Sequence, residues 1–114
     1  MYIPFQITDW EKVSGVVHPG ESGEAIWKTL QFEGLRIRMV EYSAGYLADH
    51  WCTKGHIIYC IEGEMISQLV DGSQQTLKAG MTYQVTDDAS SHKSQTDNGV
   101  KLLIVDGDFL NPNL

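Results

Sequence analysis

Apolar and polar residues alternate along much of this chain with the two-residue period of half-buried strands. The clearest stretch runs Ile26-Trp27-Lys28-Thr29-Leu30-Gln31-Phe32, then Glu33-Gly34, then Leu35-Arg36-Ile37-Arg38-Met39-Val40-Glu41-Tyr42. That is the signature of a hairpin. Further short strands are predicted near Ile57–Ile61, Met65–Val70, Gln75–Leu77, Thr82–Val85, His92–Gln95 and Val100–Val105, with Asp71-Gly72 turning the chain between Val70 and Gln75. Residues 1–9 read as a short strand whose Pro4 suits a sheet edge. Residues 10–24 read as a loop punctuated by Ser14-Gly15, Pro19-Gly20 and Ser22-Gly23. Helical periodicity is weak and confined to Asp9–Val13. Short strands at even spacing predict an all-β barrel or sandwich.

A length of 114 residues suits a single domain. Residues 25–106 are expected to form its core, and residues 1–24 an N-terminal strand and loop. The net charge of −7 argues against a nucleic-acid partner, because phosphate binding needs clustered Lys and Arg. No stretch approaches the roughly 18 consecutive apolar residues of a membrane span. Met1-Tyr-Ile-Pro-Phe5 also lacks the basic-then-apolar order of a signal peptide, so a cytoplasmic protein is expected. Cys52 and Cys60 make no disulfide framework and read as reduced thiols.

The chemistry concentrates in Gly45-Tyr-Leu-Ala-Asp-His50-Trp-Cys52-Thr-Lys-Gly-His56, which presents two imidazoles and a thiol within seven residues. Transition metals of borderline softness prefer these donors. Alternate residues of a strand share a face, so His50 and Cys52 can point the same way, and His56 can face back after Thr53-Lys54-Gly55. His92 is a fourth candidate donor in a later strand. Donors on separate strands meet only if the sheet curls around them, which favours a barrel. A thiolate donor suits Zn best, with Fe, Ni or Cu also accepted, and disfavours Mg or Ca.

This pattern resembles the cupin superfamily, whose first motif is G-x5-H-x-H-x3,4-E-x6-G and whose second is G-x5-P-x-G-x2-H-x3-N. Gly45, His50, Cys52, His56 and Gly63 follow the first, with one residue fewer before His50, Cys52 for the second histidine and His56 for the glutamate. Gly80 opens the second, Thr86 and Asp88 stand for its Pro and Gly, and His92 comes one residue late. Ala48-Asp49-His50-Trp51-Cys52 with Lys54-Gly55-His56 further resembles the small single-domain DHCW-motif cupins. The resemblance implies a single cupin-type double-stranded β-helix (jelly-roll) barrel, with a metal held by His50, Cys52, His56 and His92.

Each residue has a plainer reading as well. Cys52 is either a thiolate ligand or a small core residue beside a three-His site. Cys60 lies roughly 13 Å along the strand from His56 and is expected in the core. His18 is expected exposed in its loop. Asp49 is expected to point away from His50. Arg36 and Arg38 are expected on a solvated face, the other reading being an interior face where they would bind an anionic substrate. Trp27, Trp51 and Tyr59 read as packing or interface residues, and Glu41 and Tyr42 as ordinary strand residues. Two functions stay open: a metal-dependent enzyme on a small molecule, possibly dioxygenase-like, or a non-catalytic metal-bound binding or sensing barrel. A homodimer is expected, because Ile57, Tyr59 and Ile61 make the second face of one strand apolar and Tyr2-Ile3-Pro4-Phe5 is apolar enough to pack across copies.

Overall fold

The computed structural model describes residues 1–113. Eight strands follow a 3-10 turn at Trp10–Lys12: β1 Val16–Pro19, β2 Glu24–Phe32, β3 Leu35–Tyr42, β4 His56–Leu69, β5 Gln74–Lys78, β6 Thr82–Val85, β7 His92–Gln95 and β8 Val100–Gly107. All pairings are antiparallel. The predicted hairpin is β2–β3, with Phe32 opposite Leu35 across Glu33-Gly34. The strands expected at Ile57–Ile61 and Met65–Val70 are one continuous strand, β4. Residues 1–9 form no strand, contrary to the edge strand read from their apolar content. Tyr2, Phe5 and Ile7 pair with no strand and stay exposed. No helix is long and apolar enough to cross a membrane.

The 14 residues of β4 bind the architecture together. Its first half pairs with β6 and β8 in the sheet that also holds β1, β2 and β3. Its second half pairs with β5 and β7 in the other sheet. The crossing occurs at a register shift between Cys60 and Glu62, immediately before Gly63. A bulge followed by a left-handed residue is how a strand turns the corner between two packed sheets. Gly63 has φ +82°, and a Cβ there would stand 2.4 Å from the Gly99 carbonyl oxygen. Gly45 and Gly80, the opening glycines of the two motifs, are also left-handed at φ +80° and +88°. Asp88, which stands for the second motif's inner glycine, is the only non-glycine among the described residues with positive φ (61°).

The core is the inward row of each long strand: Val40 from β3, Ile58, Cys60 and Met65 from β4, Leu77 from β5, and Val100, Leu102 and Ile104 from β8. Cys60 is fully buried, as its parity with His56 required. Toward one end of the barrel this row turns polar. Beyond Val40, Ile58 and Ile104 stand Arg38, His56 and Asp106, all buried. The solvated face expected for Arg36 and Arg38 is therefore corrected: both share inward parity with Val40 and Tyr42, and Arg38 is only 4% exposed.

Gly63→Ala and Gly72→Ala separate strain from collision, since Gly72 has φ +90° with open space around it. Both substitutions should cost about 1 kcal/mol of backbone strain. Gly63→Ala should cost at least about 2 kcal/mol more, because the Gly99 carbonyl must move. Urea denaturation of the two variants checks this, and equal midpoints would remove the corner role of Gly63.

Candidate metal centre

Three of the sequence-predicted donors converge. Cys52 and His92 exchange both main-chain hydrogen bonds, Cys52 N–H to the His92 carbonyl at 2.8 Å and His92 N–H to the Cys52 carbonyl at 3.0 Å. Directly opposed residues of such a pair project their side chains to the same face. His56 opens β4, opposite Val85 of β6, and points inward with Ile58 and Cys60. One donor atom from each of Cys52, His56 and His92 lies within 4.8 Å of the other two.

His50 is not brought to this group. The chain bends at Asp49–His50 before it reaches Cys52. The alternating-face argument needs continuous extended backbone, and the bend removes it. The His50 ring is 74% exposed and contacts Asp49 through Nδ1, so Asp49 also lies toward its neighbour rather than away from it. His18 is not a bare loop residue either: it sits on β1, half-buried, its ring stacked on Trp27 at 3.8 Å between centroids.

The two converging imidazoles are held in the same way. His56 Nδ1 meets Asp106 Oδ2 at 2.9 Å, and His92 Nδ1 meets the Ser90 carbonyl at 3.1 Å. Donating Nδ1–H to an oxygen acceptor leaves Nε2 as a lone pair. His56 Nε2 then faces Cys52 Sγ at 3.5 Å, and His92 Nε2 is buried with no partner. A tetrahedral zinc ion, with its usual bond lengths, separates a sulfur and a nitrogen donor by about 3.5 Å. The donor set, its spacing and the unpartnered His92 nitrogen all fit a metal, with Asp106 and Ser90 in the orienting role that outer hydrogen bonds play around metal-bound histidine.

Asp106 organises the charges. It accepts from Arg36 Nε at 2.9 Å and Nη2 at 3.0 Å, from Arg38 Nη2 at 2.8 Å, and faces His56. Burial works against its ionisation, but the hydrogen bonds from His56 and Arg36 and the charges of both arginines hold it well below the usual carboxylate range. His56 is raised: burial opposes its protonation, and Asp106 and Cys52 outweigh burial. Cys52 is lowered in turn: burial opposes its ionisation, and the contacts with His56 and the Lys54 main chain, together with the charges of His56 and Arg38, outweigh it. The apolar surroundings of Cys60 push its thiol up instead. Burial also pushes the Tyr42 hydroxyl up to about 12.

Cys52, His56, His92 and the two arginines line a cavity of about 240 Å³ with Trp27, Tyr42 and Tyr83, and Asp106 stands behind its wall. Sequence reasoning missed Asp106, Tyr42 and Tyr83 as site residues, and preferred a solvated face for Arg38 over the interior one it occupies. For Asp106 a signal existed: Val100, Leu102 and Ile104 set an inward row whose next member is Asp106, one residue past the predicted end of the strand.

Cys52 should react with iodoacetamide at a pH below that needed by an ordinary thiol, since its thiolate forms earlier, while Cys60 should stay unmodified in the folded protein. Peptide mass spectrometry after timed alkylation reads both sites. Equal rates at the two cysteines would contradict the Cys52–His56 pairing.

No family model matches the chain, and no curated protein matches it in sequence. Solved structures match it in shape. A polyketide cyclase, RemF from Streptomyces resistomycificus, superposes with a TM-score of 0.78 at 18% identity, covering 91% of this chain and 80% of that one. An RmlC-like cupin from Shewanella frigidimarina gives 0.74 at 18% identity, covering 91% of both chains. Ectoine synthase from P. lautus gives 0.73 at 18% identity, covering 90% of this chain and 78% of that one. An all-antiparallel barrel of two sheets, with polar side chains gathered inside one end and these structures superposing over nine-tenths of its length, has the cupin fold.

Proposed function

We propose that this barrel holds one divalent transition metal on Cys52, His56 and His92 and is a metal-dependent enzyme acting on a small molecule in the adjoining cavity. The observation that carries this reading is the pair of anchored imidazoles. Both Nδ1 atoms are spent on oxygen acceptors, and both Nε2 atoms are left for a common centre beside the Cys52 sulfur. Zinc suits the mixed sulfur and nitrogen donors best, and iron, nickel or copper accept them too. When bound, the ion supplies Lewis acidity toward a substrate oxygen or water. Three protein donors leave a position open, as catalytic zinc sites do, and the cavity reaches it. The names of two similar structures, a cyclase and a synthase, support an enzyme over a purely structural site.

Metal analysis by mass spectrometry after aerobic and anaerobic purification should give one ion per chain. Cys52→Ser and His92→Ala should each weaken zinc binding strongly, and Asp106→Asn by about 10- to 100-fold through loss of the His56 anchor. Cys60→Ser and His50→Ala should leave it unchanged. Zinc affinity that falls equally for Cys52→Ser and Cys60→Ser would overturn the donor assignment. A zinc site whose cobalt-substituted form shows no exchangeable water would favour a non-catalytic binding barrel.

We also propose that two copies pack together through the outer face of the larger sheet. Leu30, Ile37, Val105 and Ile57 align across β2, β3, β8 and β4, and beside them Met39, Leu103 and Tyr59. Ile57, Tyr59 and Ile61 remain 39–42% exposed. The segment after residue 9 does not cover them: Trp10 lies instead beside Ile26, Lys28 and Met39, where Lys28 Nζ donates to the Trp10 carbonyl at 2.9 Å. A contiguous apolar face of this kind invites a partner. Light scattering at micromolar concentration should give the mass of a dimer, and Tyr59→Lys should shift it toward the monomer. A monomer mass for the unaltered protein would show that the face is tolerated bare.

A further inference from the structure

We propose that the cavity beside Cys52, His56 and His92 recognises a small carboxylate, with Arg38 as the residue that binds it. This names the substrate class for the enzyme proposed above and rests on that reading for its catalytic meaning.

The charge around the cavity runs against the charge of the protein. The chain carries 15 Asp and Glu against 8 Lys and Arg. Yet Arg36, Arg38, Lys54 and Lys93 all line this cavity, and no Asp or Glu does. Asp106 stands behind the arginines, where one carboxylate meets two guanidiniums. That leaves one unit of positive charge uncompensated at the wall. At the rim Lys93 is only loosely paired, 3.7 Å from the exposed Glu21.

Arg38 is the residue prepared to use that surplus. Its side chain is 5% exposed, so its charge is out of water. Only Nη2 reaches Asp106, and Nε is buried without any partner. A buried guanidinium that is half-satisfied is costly unless something else accepts from it. Its plane is fixed in advance, with Cζ 4.4 Å from the centroid of the Trp27 ring. A carboxylate is the acceptor whose two oxygens match a guanidinium fork. The rest of the wall suits a short organic body: Tyr42, Tyr83, Ile58 and Ile104. A volume near 240 Å³ suits a small molecule.

The test uses the full-length protein as purified, labelled with ¹⁵N, with its zinc content measured on the same sample. Propionate and its neutral isostere propionamide are titrated at fixed ionic strength, following the Arg38 Nε–H and Trp27 indole N–H resonances. Propionate should shift both saturably and propionamide should not. Arg38→Gln should weaken propionate binding by at least about tenfold, and Arg38→Lys, which keeps charge but loses the fork, by a similar factor. If Arg38→Gln does not fold, Arg38→Lys and the position of the shifts in the unaltered protein carry the decision. Equal responses to acid and amide, no saturable shift at Arg38, or unaltered affinity in the folded Arg38 variants would each overturn the proposal. The two readings fail separately. Zinc bound with no Arg38 response removes the carboxylate and leaves the metal, while an Arg38 response without zinc does the reverse.

Discussion

A single carboxylate, Asp106, determines what the polar end of this barrel can be. Removing a charged group from water is costly, and two arginines and a histidine cannot share a protein interior unless an anion lies among them. Asp106 accepts from Arg36, Arg38 and His56 at once, from the last inward position of β8. Without it Arg38 has no charged partner and His56 no fixed tautomer. The orientation of the His56 ring, and through it the surroundings of Cys52, follows from that one side chain.

The same economy leaves an asymmetry in the cavity. Asp106 neutralises one positive charge and orients another, so the site is electrostatically incomplete by itself. The chain as a whole is acidic, whereas Lys54, Lys93 and the two arginines gather around this one cavity without an Asp or Glu in its lining.

The fold was largely legible in the chain, because strand alternation and glycine turns are local signals. β6 was read at its observed limits, and the β2–β3 hairpin and the inward parity of His56, Ile58 and Cys60 also followed from period and turn chemistry. What could not be read depended on long-range pairing. Whether Arg38 faces water or the interior depends on which side of β3 receives the second sheet, and no window of residues 35–42 contains that information. His50 lies apart from the converging donors for a different reason: a bend of two residues interrupts the alternation that would have turned it inward. Ile57–Ile61 and Met65–Val70 looked like two strands because Gly63 imitates a turn, when in fact it carries one strand from sheet to sheet. The N-terminal residues, apolar enough for an edge strand, pair with no strand.

The Cys52–His92 pair has a wider consequence. Their positions are set by two main-chain hydrogen bonds, which do not depend on which side chains those residues carry. The geometry of the centre is thus inherited from the backbone, and its chemistry from three replaceable side chains. Such a centre can exchange one donor for another, a thiol for an imidazole or an imidazole for a carboxylate, while the barrel around it stays as it is. The choice of donors in this scaffold is therefore open to change by single codons, without the need to refold the protein around each new choice.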